Sequence, residues 1–214
     1  MIDIERRSAG LGLEVRADND KRTLVGYAAV FERLTNIGSY FQEKLSPGAF
    51  SDALDGDVRA LVDHDPGRVV GRTKSGTLRL SEDGVGLRVE IDVPNTSDGN
   101  DLWELVSRGD ISGMSFGFRV KKETWDETVS PPMRTIEKVE LHEVSAVAWP
   151  AYEDTTIGVR SLEAFRAGAE DATAVEQRKA ENRAAAERRI AEKRAAMEQK
   201  FRGIQSQSDG QGAS

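Results

Sequence analysis

The chain contains two histidines and no cysteine, so few of its side chains can act as a general base or a nucleophile. The first histidine, His64, follows the apolar run 60–62 and stands between Asp63 and Asp65. Side chains that a rigid scaffold holds at the end of a strand are common catalytic positions. A histidine at such a place is also often structural, and the segment alone leaves both interpretations open.

Ser115 is the candidate nucleophile, because it lies between Gly113 and Gly117 in the run Ile111–Phe118. If this run is a strand, Ser115 lies on one face and the large apolar side chains lie on the other. Those apolar residues are Met114, Phe116 and Phe118. A bare surface around a hydroxyl lets a peptide backbone approach it, as acyl transfer requires. The same pattern also suits a serine that packs beneath another element.

A third chemical group lies in the apolar run Val139–Val147. Strand alternation predicts that Leu141, Glu143 and Ser145 share one face and that His142 lies on the other. A carboxylate among apolar neighbours is costly unless it has a partner. Glu143 could accept a hydrogen bond from His64 and stabilise its imidazolium, as the acid of a Ser-His-Asp triad does. His142 could orient His64 instead, if the strand register places it there.

The composition argues against several classes of function. Without cysteine there is no disulfide framework, thiolate zinc site or cysteine nucleophile, and the two histidines are too far apart in sequence to suggest a metal site. No glycine-rich phosphate motif is present, so we expect neither a metal nor a cofactor. The net charge of −7 gives no support to nucleic-acid binding. No run approaches the roughly 18 apolar residues of a membrane span, and we expect no membrane association.

The residues before about 160 read as short strands with two intervening helices. One helix is predicted from Ser46 to Leu54, with Pro47 at its first position, and another from the cap 95–98 to a terminator at Gly109. The pattern predicts an α+β domain, mostly a closed or nearly closed β-barrel with a few flanking helices. The principal strand candidates are 23–31, 58–62, 77–80, 86–93 and 136–148, of which the third and fourth read as a hairpin.

The composition changes near residue 160, which divides the chain into a domain, 1–160, and a tail, 161–214. Residues 170–201 contain no glycine or proline and are rich in Ala, Glu and Arg, so they predict a long polar C-terminal helix. The end, 203–214, is rich in Gln, Ser and Gly and is predicted to be disordered. The tail is either a solvated, dispensable helix or a segment for interaction or targeting.

Several motifs together resemble the prohead proteases of tailed bacteriophages, a family that shares the herpesvirus assemblin-like fold. The resemblance covers about residues 10–160 and excludes the tail. The motifs that carry it are 25–31 (VGYAAVF), 45–50 (LSPGAF), 61–65 (LVDHD), Gly71-Arg72, 75–78 (SGTL), Pro94, the helix with Leu102 and Leu105, 108–118 (RGDISGMSFGF), 141–145 (LHEVS) and 150–152 (PAY).

This resemblance implies a serine endopeptidase in which Ser115 is the nucleophile and His64 the general base. It favours Glu143 as the third member, with His142 as the alternative and the aspartates beside His64 as remote ones. Arg72 is a candidate donor to the oxyanion. The implied reaction needs no cofactor.

The implied substrates are the scaffolding part of the major capsid protein and the protease itself. The implied location is the host cytoplasm, inside the assembling procapsid, and the herpesvirus relatives suggest a homodimer. The tail would carry the enzyme into the shell, and self-cleavage could trim it. Two rival functions are a non-catalytic assembly or scaffolding protein and an esterase that uses the same dyad.

Overall fold

The computed structural model describes residues 4–8, 12–18, 21–149, 162–169, 171–173 and 176–177. The chain divides into two compact units, residues 1–160 and 161–214. In the described part of the first unit the elements are β1 (Glu5–Ser8), β2 (Glu14–Asp18), β3 (Lys21–Val30), β4 (Thr35–Ile37), β5 (Phe41–Leu45), β6 (Arg59–Val62), β7 (Asp65–Arg72), β8 (Leu78–Glu82), β9 (Gly86–Asp92), α1 (Ser97–Arg108), β10 (Gly113–Asp126) and β11 (Met133–Val147).

The strands form two sheets. The larger has seven strands, in the order β1-β10-β11-β5-β4, with β6 pairing with β11 and β7 with β6. The smaller has four strands, in the order β2-β3-β9-β8. The predicted α+β, mostly β class is confirmed, but the described strands form two sheets and no closed barrel. Strand alternation reports which face is buried and does not determine which strands pair, so it could not decide between a barrel and two sheets.

Side chains from both sheets and from α1 build one hydrophobic core. Phe50 lies at its centre, with its ring 6.2 Å from that of Phe31 and 5.4 Å from that of Phe116. Phe116 in turn stacks on Phe118 at 4.8 Å. This apolar face of β10 packs into the core as the sequence predicted, and it holds the strand that carries Ser115.

Helix α1 begins and ends where the sequence predicted. Thr96 is its N-cap and its hydroxyl accepts a hydrogen bond from the Gly99 N–H at 3.2 Å. Gly109 ends the helix in the left-handed conformation, with φ 83°, and its N–H donates to the carbonyls of Leu105 and Val106. A residue without Cβ adopts this conformation at little cost, which is why glycine is common at this position.

The predicted helix from Ser46 to Leu54 is wrong, because these residues form a series of turns. The bonds that they make span three residues, as in Ala49 N–H to Ser46 O and Ala53 N–H to Phe50 O. Gly48 has φ 83°, which lies outside the helical region and interrupts a helix. The burial of Phe50 in the core stabilises this irregular segment.

The described residues of the second unit, 162–169, 171–173 and 176–177, are helical. Most of the predicted long helix, 170–201, and all of the predicted disordered end, 203–214, lie outside the described residues. Within the described part of the chain, no helix is both long and apolar enough to cross a membrane.

Candidate active site

A two-residue turn between β6 and β7 presents His64. Asp63 and His64 both have positive φ, 53° and 58°, as a type I′ hairpin turn requires. Residues with a Cβ seldom adopt this conformation, and such strain is concentrated at functional sites. The Asp63 N–H donates to the carbonyl of Ala146 on β11 at 2.9 Å, which fixes the turn against the large sheet.

The turn places His64 against Glu143, a residue of β11. The distance from His64 Nδ1 to Glu143 Oε1 is 2.6 Å, and the two side chains are only 10% and 11% exposed. An ionised Glu143 would only accept hydrogen bonds, and the contact would then assign the imidazole proton to Nδ1 and leave Nε2 as the basic nitrogen. His64 Nε2 is buried and has no hydrogen-bond partner among the described residues. Two of the three predicted site residues are therefore in direct contact.

Ser145 joins this pair, and the sequence analysis did not select it. Its hydroxyl donates to Glu143 Oε2 at 2.6 Å and accepts from the His64 backbone N–H at 3.3 Å. Both oxygens of the carboxylate are thus engaged, one by the imidazole and one by a buried hydroxyl. The alternation of Glu143 and Ser145 on one strand face was the signal that could have identified this residue.

Gly117 makes room for the carboxylate. It lies opposite Glu143 in the pairing of β10 with β11, and a Cβ at Gly117 would clash with Glu143 Oε1. The sequence suggested that Gly117 leaves space around the hydroxyl of Ser115. In the structure, Gly117 instead leaves space for the carboxylate of Glu143, which contacts His64. In the same pairing Ser115 lies opposite Ser145, so β10 brings the candidate nucleophile to the face that carries Glu143.

The hydroxyl of Ser115 is covered. Ser115 is fully buried, and its Oγ donates to the backbone carbonyl of Arg7 at 2.9 Å. Arg7 belongs to β1, which pairs antiparallel with β10 and places Ser8 opposite Ser115. The serine thus packs beneath another element, which was one of the two interpretations of its sequence. Its proton is engaged by β1 and not by His64.

His142 occupies a β-bulge in β11. Gly117 pairs with Glu143 and the next residue, Phe118, pairs with Leu141, so His142 has no opposite residue on β10. The bulge places Leu141 in the core, and the predicted common face of Leu141 and Glu143 is therefore wrong. Of the two candidates for the third position, it is Glu143 that contacts the His64 ring.

The other suggested residues have different partners. Arg72 Nε and Nη2 each lie 2.7 Å from a carboxylate oxygen of Asp57, and this pairing lowers the pKa of Asp57 to about 2. A guanidinium held in this way gives no support to Arg72 as an oxyanion donor. Asp63 is exposed, and Asp65 Oδ1 accepts from the Gly67 N–H at 2.8 Å.

Comparison with known proteins matches residues 12–167 to the caudovirus prohead serine protease family. The prohead protease of Enterobacteria phage HK97 is 31% identical over 151 residues, which are 68% of this chain and 63% of that protein. The prohead protease of Escherichia phage T5 is 30% identical over 99 residues, which are 46% of this chain and 44% of that protein. The matched regions therefore span less than two thirds of either relative.

The solved structure of the bacteriophage T4 capsid assembly protease, gp21, has the same fold. The TM-score is 0.50 at 13% sequence identity, and the match covers 69% of this chain and 98% of that one. The family match includes His64, Ser115, Glu143 and Ser145, and it spans most of the chain. This chain belongs to the caudovirus prohead serine protease family.

Proposed function

We propose that this chain is a serine endopeptidase that cleaves the scaffolding segments of a capsid precursor during procapsid maturation. Ser115 is the nucleophile, His64 the general base and Glu143 the residue that orients the base. The observation that carries this proposal is the buried contact of 2.6 Å between His64 Nδ1 and Glu143 Oε1. This contact leaves His64 Nε2 as the base, and Ser115 lies on the strand that pairs with the strand of Glu143.

In the proposed reaction His64 Nε2 removes the proton of Ser115 as Oγ attacks the carbonyl carbon of a peptide bond. The electron pair of the carbonyl moves to its oxygen, and the tetrahedral intermediate collapses as the C–N bond breaks. The imidazolium, stabilised by Glu143, returns its proton to the leaving amine. Water then attacks the acyl-enzyme with the help of the same histidine and releases Ser115.

The substrates and the location are also part of this proposal, and the names of the family and of the T4 neighbour support them. Its description names a prohead protease, and the T4 neighbour is named a capsid assembly protease. We infer that the major capsid protein precursor is the main substrate and that the chain also cleaves itself. The reaction takes place in the assembling procapsid in the host cytoplasm, residues 1–160 form the catalytic domain, and residues 161–214 target it to the shell. We also propose that the chain forms a homodimer. The proposed function involves no nucleic acid, membrane or cofactor.

The test is to incubate the purified chain with its capsid precursor and to follow intact masses. We expect fragments from the wild type and none from Ser115→Ala. Ser112→Ala is the matched control, because Ser112 is an exposed serine three positions earlier in the same segment. Equal fragmentation by wild type and Ser115→Ala would reject Ser115 as the nucleophile.

A non-catalytic assembly protein is the second candidate, and the burial of Ser115 is the observation that favours it. The absence of fragments from wild type would support that function. Turnover of small esters without peptide cleavage would support an esterase instead.

A further inference from the structure

Strand β1 covers the candidate nucleophile. Its four residues pair with Ser115 to Phe118 of β10, and the carbonyl of Arg7 holds the Ser115 hydroxyl. β1 is the edge strand of the seven-stranded sheet, so its removal would expose the edge of β10 without breaking any other pair of strands. The family match begins at residue 12, after this strand. β1 therefore lies outside the range that the family match covers.

Two charged side chains, two residues apart, attach β1 to the sheet. Arg7 donates to Glu43 through Nε at 2.7 Å and through Nη2 at 3.1 Å. Glu5 accepts from Arg134 Nη1 at 2.9 Å and from Nη2 at 3.0 Å. Glu43 and Arg134 also bind each other at 2.8 Å, and all four residues are buried. The fixed part of this cluster therefore offers one carboxylate and one guanidinium to an incoming strand.

Two polar atoms at the site have no partner while β1 is bound. His64 Nε2 and Ser8 Oγ are both buried and lack a hydrogen bond within the described part of the chain. Buried polar atoms without partners are rare and call for a functional explanation. For His64 Nε2, an arrangement in which Ser115 turns away from Arg7 and donates to this nitrogen would supply the missing partner.

We propose that the β10 edge from Ser115 to Phe118, with Glu43 and Arg134, is a docking site for an extended peptide. The peptide carries a carboxylate and a guanidinium two residues apart and adds to the sheet as an antiparallel strand. β1 is the resident occupant and must leave before Ser115 reacts. The last statement rests on the proposed function, whereas the occupancy of the edge by β1 does not.

The test uses Ser115→Cys, because this variant carries the single thiol of a cysteine-free chain. Its alkylation by iodoacetamide, followed by intact mass, measures the opening of β1 without any need for catalysis. We expect slow alkylation of Ser115→Cys alone and alkylation about tenfold faster or more when Arg7→Ala is added, because a buried ion pair is broken. Arg79→Ala, which removes an exposed ion pair of the smaller sheet, is the matched control and should leave the rate unchanged.

A second variant and a synthetic peptide distinguish the local opening of β1 from unfolding of the whole chain. Arg6→Pro fixes φ in β1 and removes a backbone N–H without removing a buried charge, because Arg6 is exposed, and it should also accelerate alkylation. A synthetic peptide of residues 4–9 should slow the alkylation of the opened variants, whereas the same peptide with Glu5→Arg and Arg7→Glu should not. Protection that survives unfolding of the chain in urea would show that the peptide acts on the reagent and would count against docking.

Equal alkylation rates in Ser115→Cys, with and without Arg7→Ala and Arg6→Pro, would overturn the proposal. Equal protection by both peptides would overturn the role of the charges. If the opened chain is alkylated rapidly while Arg7→Ala with the native serine cleaves no precursor, the docking site stands and the proposed protease function fails. If Arg7→Ala cleaves precursor faster than wild type, both stand.

Discussion

The two sheets handle their charged side chains in opposite ways. In the four-stranded sheet, Arg79 binds Asp92 at 2.8 and 2.9 Å, and the arginine side chain remains 41% exposed. In the seven-stranded sheet, Arg134 binds Glu43 at 2.8 Å and its side chain is 2% exposed. The bond lengths are similar, and the difference lies in the surroundings of the pair.

The difference in exposure changes how much an ion pair contributes to the free energy of unfolding. Exposed pairs contribute about 0–1 kcal/mol, because water screens them and solvates each partner alone. Removing one partner of a buried pair costs about 3–5 kcal/mol, because the other charge is left without water. A sheet needs no buried charges for stability, and in the large sheet one of the buried charged residues, Arg7, holds the hydroxyl of Ser115 through its backbone carbonyl. Matched substitutions in the two sheets test whether the polar groups of the large sheet differ in kind from those of the small one.

The largest effect is expected from Glu143→Gln. An amide in place of the carboxylate can donate to Nδ1 and so favour the wrong tautomer of His64, and it cannot stabilise the imidazolium. We expect precursor cleavage to fall by about 10⁴-fold, the order of magnitude seen when a triad acid is replaced by its amide. Glu90→Gln in the small sheet is the control and should change the rate less than about twofold. Cleavage rates at saturating precursor measure both, and equal rates in the two variants would reject the role of Glu143.

The next effect concerns folding. Arg134→Ala removes one of the two cations that Glu5 and Glu43 share and leaves Arg7 to pair with both buried carboxylates. We expect the free energy of unfolding to fall by about 3–5 kcal/mol. Arg79→Ala removes the corresponding arginine from the small sheet and should cost less than about 1 kcal/mol. Urea unfolding of the two variants measures the difference. Similar losses of unfolding free energy in the two variants would mean that burial of the ion pair does not change its contribution to stability.

Ser145→Ala should have a smaller effect, and mainly on catalysis. It removes the hydroxyl that holds Glu143 Oε2 and the His64 backbone, and an unsatisfied buried acceptor costs about 1–3 kcal/mol, or about ten- to a hundredfold in rate. Ser145→Thr, which keeps the hydroxyl, should recover part of the loss. Ser81→Ala, on the exposed face of the small sheet, is the control. A pH profile of cleavage that is identical in wild type and Ser145→Ala, with only stability lowered, would make Ser145 a structural residue.

The smallest effect is expected in the pH dependence of the free energy of unfolding, through Asp92. Hydrogen bonds from Arg79 hold the pKa of Asp92 at about 2, below its value of about 3.9 in an unfolded chain. The stabilisation is therefore present above about pH 4 and is lost as the pH falls towards about 2. Since the pair is partly exposed, we expect Asp92→Asn to cost less than about 1 kcal/mol at pH 6 and nothing near pH 2. Urea unfolding at the two pH values checks this, and an equal cost at both would contradict the assignment.

The local features of the fold were predictable because they depend on neighbours in sequence. The caps at Thr96 and Gly109 predicted the bounds of α1, and the alternation of Met114, Phe116 and Phe118 predicted the face that β10 buries. The turn at 46–54 was missed because the φ of Gly48 and the burial of Phe50 are decided by packing. A β-bulge at His142 shifted the strand alternation, and a sequence pattern shows no sign of where such a bulge falls.

The sequence by itself thus determined which groups can do chemistry: two histidines, no thiol, and a serine between two glycines on an apolar strand. Only the tertiary structure decided which of them meet. Glu143 was one of two candidates until a positive-φ turn and a bulge brought it to His64, and Ser145 and β1 were not identified at all. The reason is physical. The segment Glu5–Ser8 is charged and reads as solvent-exposed, and its buried partners lie 36 and 129 residues away, beyond the reach of any local pattern.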